Sequence, residues 1–215
     1  MSGEHPGVAA ALAARVRRLE SLLEQRGLVD PQELDRALEA FLARASPANG
    51  TRLVARAWAD EGFRARLLAD ANAALPELGL SMGGGLQEQR LKVVQNTEDS
   101  HNVIVCTLCS CYPRPVLGMS PDWYRTPNYR RRLVRWPREV LAEFGLHFGP
   151  DVEVRVHDSN QKSRFMVMPM RPEGTEGWTE EQLEAIVTCD TMIGVALPQA
   201  DWTASGPPSA AKANS

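Results

Sequence analysis

Long apolar runs are missing from this chain of 215 residues. No stretch approaches the ~18 apolar residues that a membrane span requires, so a membrane protein is excluded at the level of sequence. An excess of positive charge is missing too. Lys and Arg number 24 against 27 Asp and Glu, a formal net charge of -3, which removes the broad basic footprint of a nucleic-acid binder. The opening Met-Ser-Gly-Glu-His-Pro-Gly lacks a basic segment followed by an apolar core, so the reading predicts a cytoplasmic chain without a secretory signal. Cysteine is scarce, with four residues, and aromatics make up 6%. What remains is an ordinary globular mixture, 43% hydrophobic and 24% charged, long enough to bury a sizeable core.

The N-terminal third reads as helical. Leu12, Val16, Leu19 and Leu23 recur at the spacing of one helix face, with Gly27 as a stop. Asp30, Pro31 and Glu33 then give a side-chain cap, a proline at the first helical position and a capping-box acid, and a second helix is expected to about Arg44. Ala45 to Gly50 reads as a turn, and Thr51 to Leu75 as two helices broken near Asp60 to Gly62. Gly79 to Gly85 marks a linker. Beyond it come short strands at Leu91–Gln95 and Val103–Val105, then a proline-rich stretch (Pro113, Pro115, Pro121) in which no regular structure is expected. Pro137 to Phe144 is a helix ending at Gly145. Val152, Val154 and Val156 alternate with polar residues as a half-buried strand, with Arg164–Met168 as its candidate partner, and Thr179 with Gln182 opens a last helix. The fold class is α+β. Residues 1–85 form a helical arm and linker, 86–198 a compact α/β metal-binding domain, and 199–215 a disordered tail.

Three of the four cysteines, Cys106, Cys109 and Cys111, fall inside six residues. Loops so short are strained for disulfide pairing, and such a cluster is metal-binding or catalytic more often than oxidised. Cys106 and Cys109 have the spacing of a zinc knuckle. Cys111 reaches the same centre only if the Ser110 backbone folds against it, which brings the amide nitrogens of Ser110 and Cys111 close. Three thiolates and two amide nitrogens would leave one position open for water or substrate, and such strong donors favour a transition ion in a higher oxidation state. Two other readings stay open. One is a structural zinc completed by His101 or Cys189, in a non-catalytic interaction subunit. The other is an iron–sulfur cluster that recruits Cys189.

The segment Cys106-Thr107-Leu108-Cys109-Ser110-Cys111-Tyr112-Pro113 resembles the metal loop of cobalt-type nitrile hydratase alpha subunits and thiocyanate hydrolase gamma subunits. The likeness continues through Val116-Leu117-Gly118, Trp123-Tyr124, Tyr129-Arg130-x-Arg132, Pro137-Arg138, Arg155-Val156-x-Asp158, Arg171-Pro172 and Met192-Ile193-Gly194. It covers roughly residues 51 to 197. The resemblance implies one Co(III) per subunit, with Thr107 as the mark of cobalt over iron. It assigns the thiolates to Cys106, Cys109 and Cys111, and the amide nitrogens to Ser110 and Cys111. Cys109 would be oxidised to sulfinate and Cys111 to sulfenate, the latter as nucleophile or base, and Ser110 would add a hydroxyl to the oxygen network. Gln87 would stand near the substrate channel, and Asp158 and Arg164 would brace the loop from behind. The implied reaction is hydration of a carbon–nitrogen triple bond. A beta-type subunit completes the site in that family, so the resemblance implies a hetero-oligomer, with the arm wrapping the partner and a cobalt-loading chaperone as a further partner.

One position departs from most nitrile hydratases, which carry tryptophan where this chain has Arg114. A guanidinium suits an anion or a polar substrate better than an apolar nitrile. Arg114, the run Arg130-Arg131-Arg132 and Asp158-Ser159-Asn160-Gln161-Lys162 look like thiocyanate hydrolase gamma subunits and the three-subunit nitrile hydratases acting on polar nucleoside nitriles such as toyocamycin. Taken by itself, the arginine run reads as a solvated helix face or a set of ion pairs between subunits.

Overall fold

The computed structural model describes residues 6–83 and 89–200. The expected tail from residue 201 onward, and Gln87, lie outside the described residues. Two compact units divide at Arg44 and Ala45.

The first unit holds helices α1 (Pro6–Gln25) and α2 (Pro31–Arg44). Gly27 ends α1 with φ +64°. Its N–H reaches Glu24 O at 2.9 Å, while Leu28 N–H reaches Leu23 O at 2.9 Å, the paired bonds of a Schellman stop that needs a left-handed residue. Asp30 Oδ1 accepts from Gln32 N at 2.8 Å and Glu33 N at 3.3 Å, so the expected cap is in place. The apolar stripe of α1 is exposed at Leu12, Val16 and Leu19.

In the second unit, α3 (Pro47–Ala59), α4 (Glu61–Ala69) and α5 (Ala71–Ala74) follow one another with an acid at each break. Asp60 accepts from Phe63 N and Asp70 from Ala73 N, so each carboxylate starts the next helix. Two expectations change here. The turn over Ala45–Gly50 is helical from Pro47, because Ser46 caps it and proline is pre-set for the first helical position. Gly50 is there for space: a Cβ would come within 2.6 Å of Met192 Sδ and of Val116 O. The helices assigned to the arm up to residue 75 also belong to the domain. Leu53, Val54, Phe63, Leu67 and Leu75 are fully buried in its core, and Trp58 Nε1 donates to Pro169 O at 3.0 Å.

Strands β1 (Arg90–Gln95), β2 (Ser100–Val105), β3 (Glu153–Asp158) and β4 (Ser163–Met168) form two parallel pairs, β1 with β4 and β2 with β3. The expected pairing of β3 with β4 is therefore corrected. Both short connections, at Thr97–Ser100 and at Asn160–Ser163, pass the chain from one sheet to the other. Ser159 N–H extends the β2–β3 ladder to Val105 O at 2.7 Å before the chain leaves it. β2 is buried along its whole length, as strands of parallel pairs are. The proline-rich stretch holds a one-turn helix, α6 (Arg114–Leu117), in which Pro115 occupies the first turn, where a missing N–H costs nothing. The helices α7 (Pro127–Leu133), α8 (Pro137–Glu143), α9 (Glu180–Ala185) and α10 (Cys189–Ile193) complete the unit. Thr179 and Gln182 form the expected capping box on α9. No described helix is long and apolar enough to cross a membrane.

A buried polar network links β2 to its surroundings. His101 Nε2–H donates to Gly194 O at 2.8 Å, and its Nδ1 accepts from Asn96 Nδ2 at 3.2 Å. Asn96 Oδ1 in turn accepts from Asn102 N and Nδ2, and Asn102 Oδ1 from His157 Nε2 at 2.7 Å. Every donor direction is fixed, so a second proton on His101 would face an amide donor. Burial holds the pKa of both histidines below the ordinary value. A depressed folded pKa gives stability that is present above pH ~6.5 and is lost as pH falls toward the folded value. Denaturant midpoints should therefore drop between pH 7.5 and 5.5, and His101→Gln, though less stable at neutral pH, should show a shallower drop over the same window.

Candidate metal centre

The loop Cys106–Cys111 leaves the end of β2 and is held there by the strand beside it. In the β2–β3 register Val105 lies opposite Asp158, so the carboxylate of Asp158 stands next to the first residues of the loop. Asp158 Oδ1 accepts from Thr107 N at 2.9 Å, and Oδ2 accepts from Thr107 Oγ1 at 2.5 Å. One carboxylate thus fixes both the main chain and the side chain at the second loop position.

The three sulfurs converge. Cys106 Sγ lies 3.4 Å from Cys109 Sγ, and Cys109 Sγ lies 3.1 Å from Cys111 Sγ. Cys109 N–H also points at Cys106 Sγ, 3.3 Å away. The Cys111 thiol, then the Cys106 thiol and, least, the N–H groups of Cys111 and Ser110 hold the Cys109 thiol below the ordinary value against the opposing effect of burial. Burial pushes the Cys111 thiol up to about 12, and the positive charge of Arg164 works against that rise. Cys106 and Cys111 are buried, whereas Cys109 is exposed and Leu108 at the tip is 87% exposed.

Metal–sulfur bonds of ~2.3 Å set two sulfurs about 3.8 Å apart at a tetrahedral angle and about 3.3 Å apart at a right angle. The two short separations fit right angles, and the N–H groups of Ser110 and Cys111 lie close to the Cys109 sulfur, so the three thiols suit a transition ion of higher coordination number better than a tetrahedral one. The zinc and iron–sulfur readings each needed a fourth side chain, and that expectation is corrected. Among the described residues the cluster holds Cys106, Cys109 and Cys111 alone. Both nitrogens of His101 are engaged elsewhere. Cys189 Sγ takes a hydrogen bond from Tyr112 Oη at 2.9 Å and donates to Leu117 O.

Around the sulfurs the backbone of the loop and of the end of β2 is gripped through its carbonyls. Tyr124 Oη donates to Cys111 O at 3.1 Å, Tyr129 Oη to Ile104 O at 2.8 Å, and Arg130 Nη1 to Cys109 O at 2.8 Å. Sequence reasoning missed all three, because a side chain that serves a backbone carbonyl leaves no residue-type pattern at the other end. Of the arginine run, only Arg132 makes the expected kind of ion pair, and it is internal, with Glu143. Arg164, on β4, is buried, and its Nε and Nη1 atoms lack hydrogen-bond partners. A guanidinium does not lose its charge, so buried unsatisfied donors of this kind suit anionic oxygen nearby. Ser110 and Arg114 are half-buried, Arg114 opening α6 three residues beyond Cys111. Gln87 cannot be placed against the loop, lying outside the described residues. Replacing Asp158 by Ala removes both anchors of Thr107 and should weaken metal retention ~10–100-fold in a chelator competition. Asp158→Asn, which keeps one acceptor, should fall between that variant and the native chain.

Known proteins resemble this chain in sequence and fold. The family model for the nitrile hydratase alpha chain matches residues 10–196. The low-molecular-weight cobalt-containing nitrile hydratase subunit alpha of Rhodococcus rhodochrous is 47% identical over 198 residues, covering 92% of this chain and 94% of that one. The thiocyanate hydrolase subunit gamma of Thiobacillus thioparus is 45% identical over 204 residues, covering 91% and 84%. A solved recombinant thiocyanate hydrolase described as having partially modified cobalt centres superposes with a TM-score of 0.82 at 44% identity, covering 88% of this chain and 91% of that one.

Proposed function

The chain belongs to the nitrile hydratase alpha-chain family, and from that premise we propose that it is the cobalt-bearing subunit of an enzyme that hydrates a carbon–nitrogen triple bond. The observation that carries this reading is the sulfur geometry. Separations of 3.4 and 3.1 Å support an ion held at right angles by Cys106, Cys109 and Cys111, with the main-chain nitrogens of Ser110 and Cys111 as its further donors in this reading. When bound, the cobalt supplies Lewis acidity toward substrate or water at an open position.

The side chains divide the remaining work. In this reading Cys109 carries a sulfinate and Cys111 a sulfenate, the second acting as nucleophile or base toward the reacting carbon. The Ser110 hydroxyl joins their oxygen network. Arg164 supports that assignment, because its unpartnered buried donors lie in the field of Cys111. Thr107 and Asp158 fix the loop, and Arg114 orients a polar or anionic substrate. Gln87 is assigned to the substrate channel on the family resemblance alone. The leading substrate class is a polar nitrile, a cyanated nucleoside being the example that the resemblance suggests.

A second chain completes the site. The exposed Cys109 and the bare leucine at the loop tip are a surface for a beta-type subunit to cover, and the exposed stripe of α1 gives the arm an apolar face with which to grip it. A cobalt-loading chaperone would act before that face is closed.

Arg114 favours one competing reading, thiocyanate hydrolysis to carbonyl sulfide and ammonia, since thiocyanate is an anion. Assay of the assembled, cobalt-loaded complex against an aliphatic nitrile, a cyanated nucleoside and thiocyanate decides between them. Turnover of a nitrile is expected, and consumption of thiocyanate alone would overturn the leading substrate. In either case Arg114→Trp should move selectivity toward apolar nitriles by ~10-fold or more, read as the ratio of kcat/KM values, because it exchanges a charged hydrogen-bonding wall for an aromatic one.

A further inference from the structure

The two side chains that hold carbonyls of the sulfur loop differ in charge, and the difference follows the peptide bonds. An amide that binds a metal through nitrogen gives up its N–H proton, and the negative charge spreads across the peptide to the carbonyl oxygen of the preceding residue. For the Ser110 nitrogen that oxygen is Cys109 O, which receives Arg130 Nη1 at 2.8 Å. Tyr124, the neutral donor, sits instead on Cys111 O, whose peptide nitrogen belongs to Tyr112 and is not a metal donor. The permanent cation therefore stands on the peptide that acquires charge, and the phenol on one that stays neutral.

Arg130 is well placed for this. It projects from α7, which is capped by Thr126 and fixed to the end of β2 by Tyr129 on Ile104 O. Its Nε is buried without a partner, so the guanidinium is desolvated on one side and serves the carbonyl on the other. Charge-assisted hydrogen bonds of this kind are about twice as strong as neutral ones.

We propose that Arg130 is a positioning residue that selects the Ser110 main-chain nitrogen as an anionic metal donor, by placing a fixed positive charge at the oxygen end of the same peptide. The step balances without redox chemistry: the Ser110 N–H bond breaks, its proton leaves to solvent, and the freed electron pair makes the bond to the ion. The inference rests on the proposed cobalt site.

The test uses the full chain assembled with its partner and loaded with cobalt, as native protein, Arg130→Met and Arg130→Lys. Metal retention against a chelator and the energy of the ligand-field absorption bands are read together, with thermal unfolding of the metal-free chains as the check on folding. Arg130→Met is expected to retain cobalt ~10-fold less well or worse. The fraction that stays loaded should absorb at higher energy, because the charge released from oxygen returns to nitrogen and makes it a stronger donor. Arg130→Lys should bring retention back to within about threefold of native. A merely structural prop predicts the opposite spectral shift, to lower energy as the donors loosen, and no rescue by lysine; either result overturns the proposal while leaving the cobalt reading intact. Unchanged retention and unchanged bands in Arg130→Met also overturn it. A native chain that takes up no cobalt, or binds it without nitrogen donors, overturns the cobalt reading and this inference with it.

Discussion

Everything at the sulfur loop depends on the lateral register of β2 and β3. Three thiols spaced three and two residues apart on a free chain have no reason to converge, because the loop must bend back against its own backbone and its thiolates repel as they form. The bend is held by Asp158, which reaches Thr107 only because Val105 and Asp158 are opposite one another at the ends of two parallel strands. A slip of one residue would turn Asp158 to the other face of its strand and remove the anchor. The scaffold is stiff for a plain reason: β2 is buried along its whole length, and two of its polar side chains, His101 and Asn102, are locked into a network with a single donor direction at each bond.

The second layer of support acts on carbonyls. If the loop gives amides to a metal, as proposed, it cannot use them for turns, and its stability must come from donors brought in from outside. Tyr124, Tyr129 and Arg130 supply these from the segment between α6 and α8. The Tyr124 and Tyr129 rings pack edge to face against Trp123, at 6.2 and 4.9 Å between centroids, and Tyr112 packs edge to face against Tyr124 at 5.0 Å. In a chain with few aromatic residues, this concentration behind one loop is where rigidity is invested. The phenols lie in so apolar a setting that burial raises the pKa of all three tyrosines well above the usual range, which keeps them neutral donors at any physiological pH.

Much of this was legible in the sequence wherever the signal is local. Capping residues located α2 and α9, because a cap and the amide it serves lie two or three positions apart. The cysteine loop was legible for the same reason, and its spacing pointed to a bent backbone before any fold was known. Non-local pairings were not legible. The four residues joining β3 to β4 are as short as a hairpin turn, and only the competition for β1 and β2 decides that these strands part. Gly50 reads as a turn signal, yet it is a contact residue, and nothing near it in sequence announces Met192 or Val116. Arg130 was indistinguishable from Arg131 beside it, since helix periodicity alone does not say which member of a basic run faces a loop that lies elsewhere in the chain. The fourth ligand imagined at His101 or Cys189 failed on the same ground: sequence offered the residue type but not the partners that already occupy it.

The same site is closed behind and open in front, and that asymmetry has a chemical sense. Behind the sulfurs, burial makes Cys111 a reluctant acid and leaves Arg164 with donors to spare. In front, Cys109 and the leucine beside it meet solvent. A bare leucine costs little to cover and gains from being covered, so a partner surface seated there would exclude water without disturbing the anchors on Thr107. Under that cover, electrostatic interactions strengthen as the local dielectric falls. The guanidinium of Arg114, half-buried on the chain alone, would then act on a substrate from a drier wall. On the proposed role of Arg114, selectivity for polar or anionic substrates would thus belong to the assembly and not to this chain by itself.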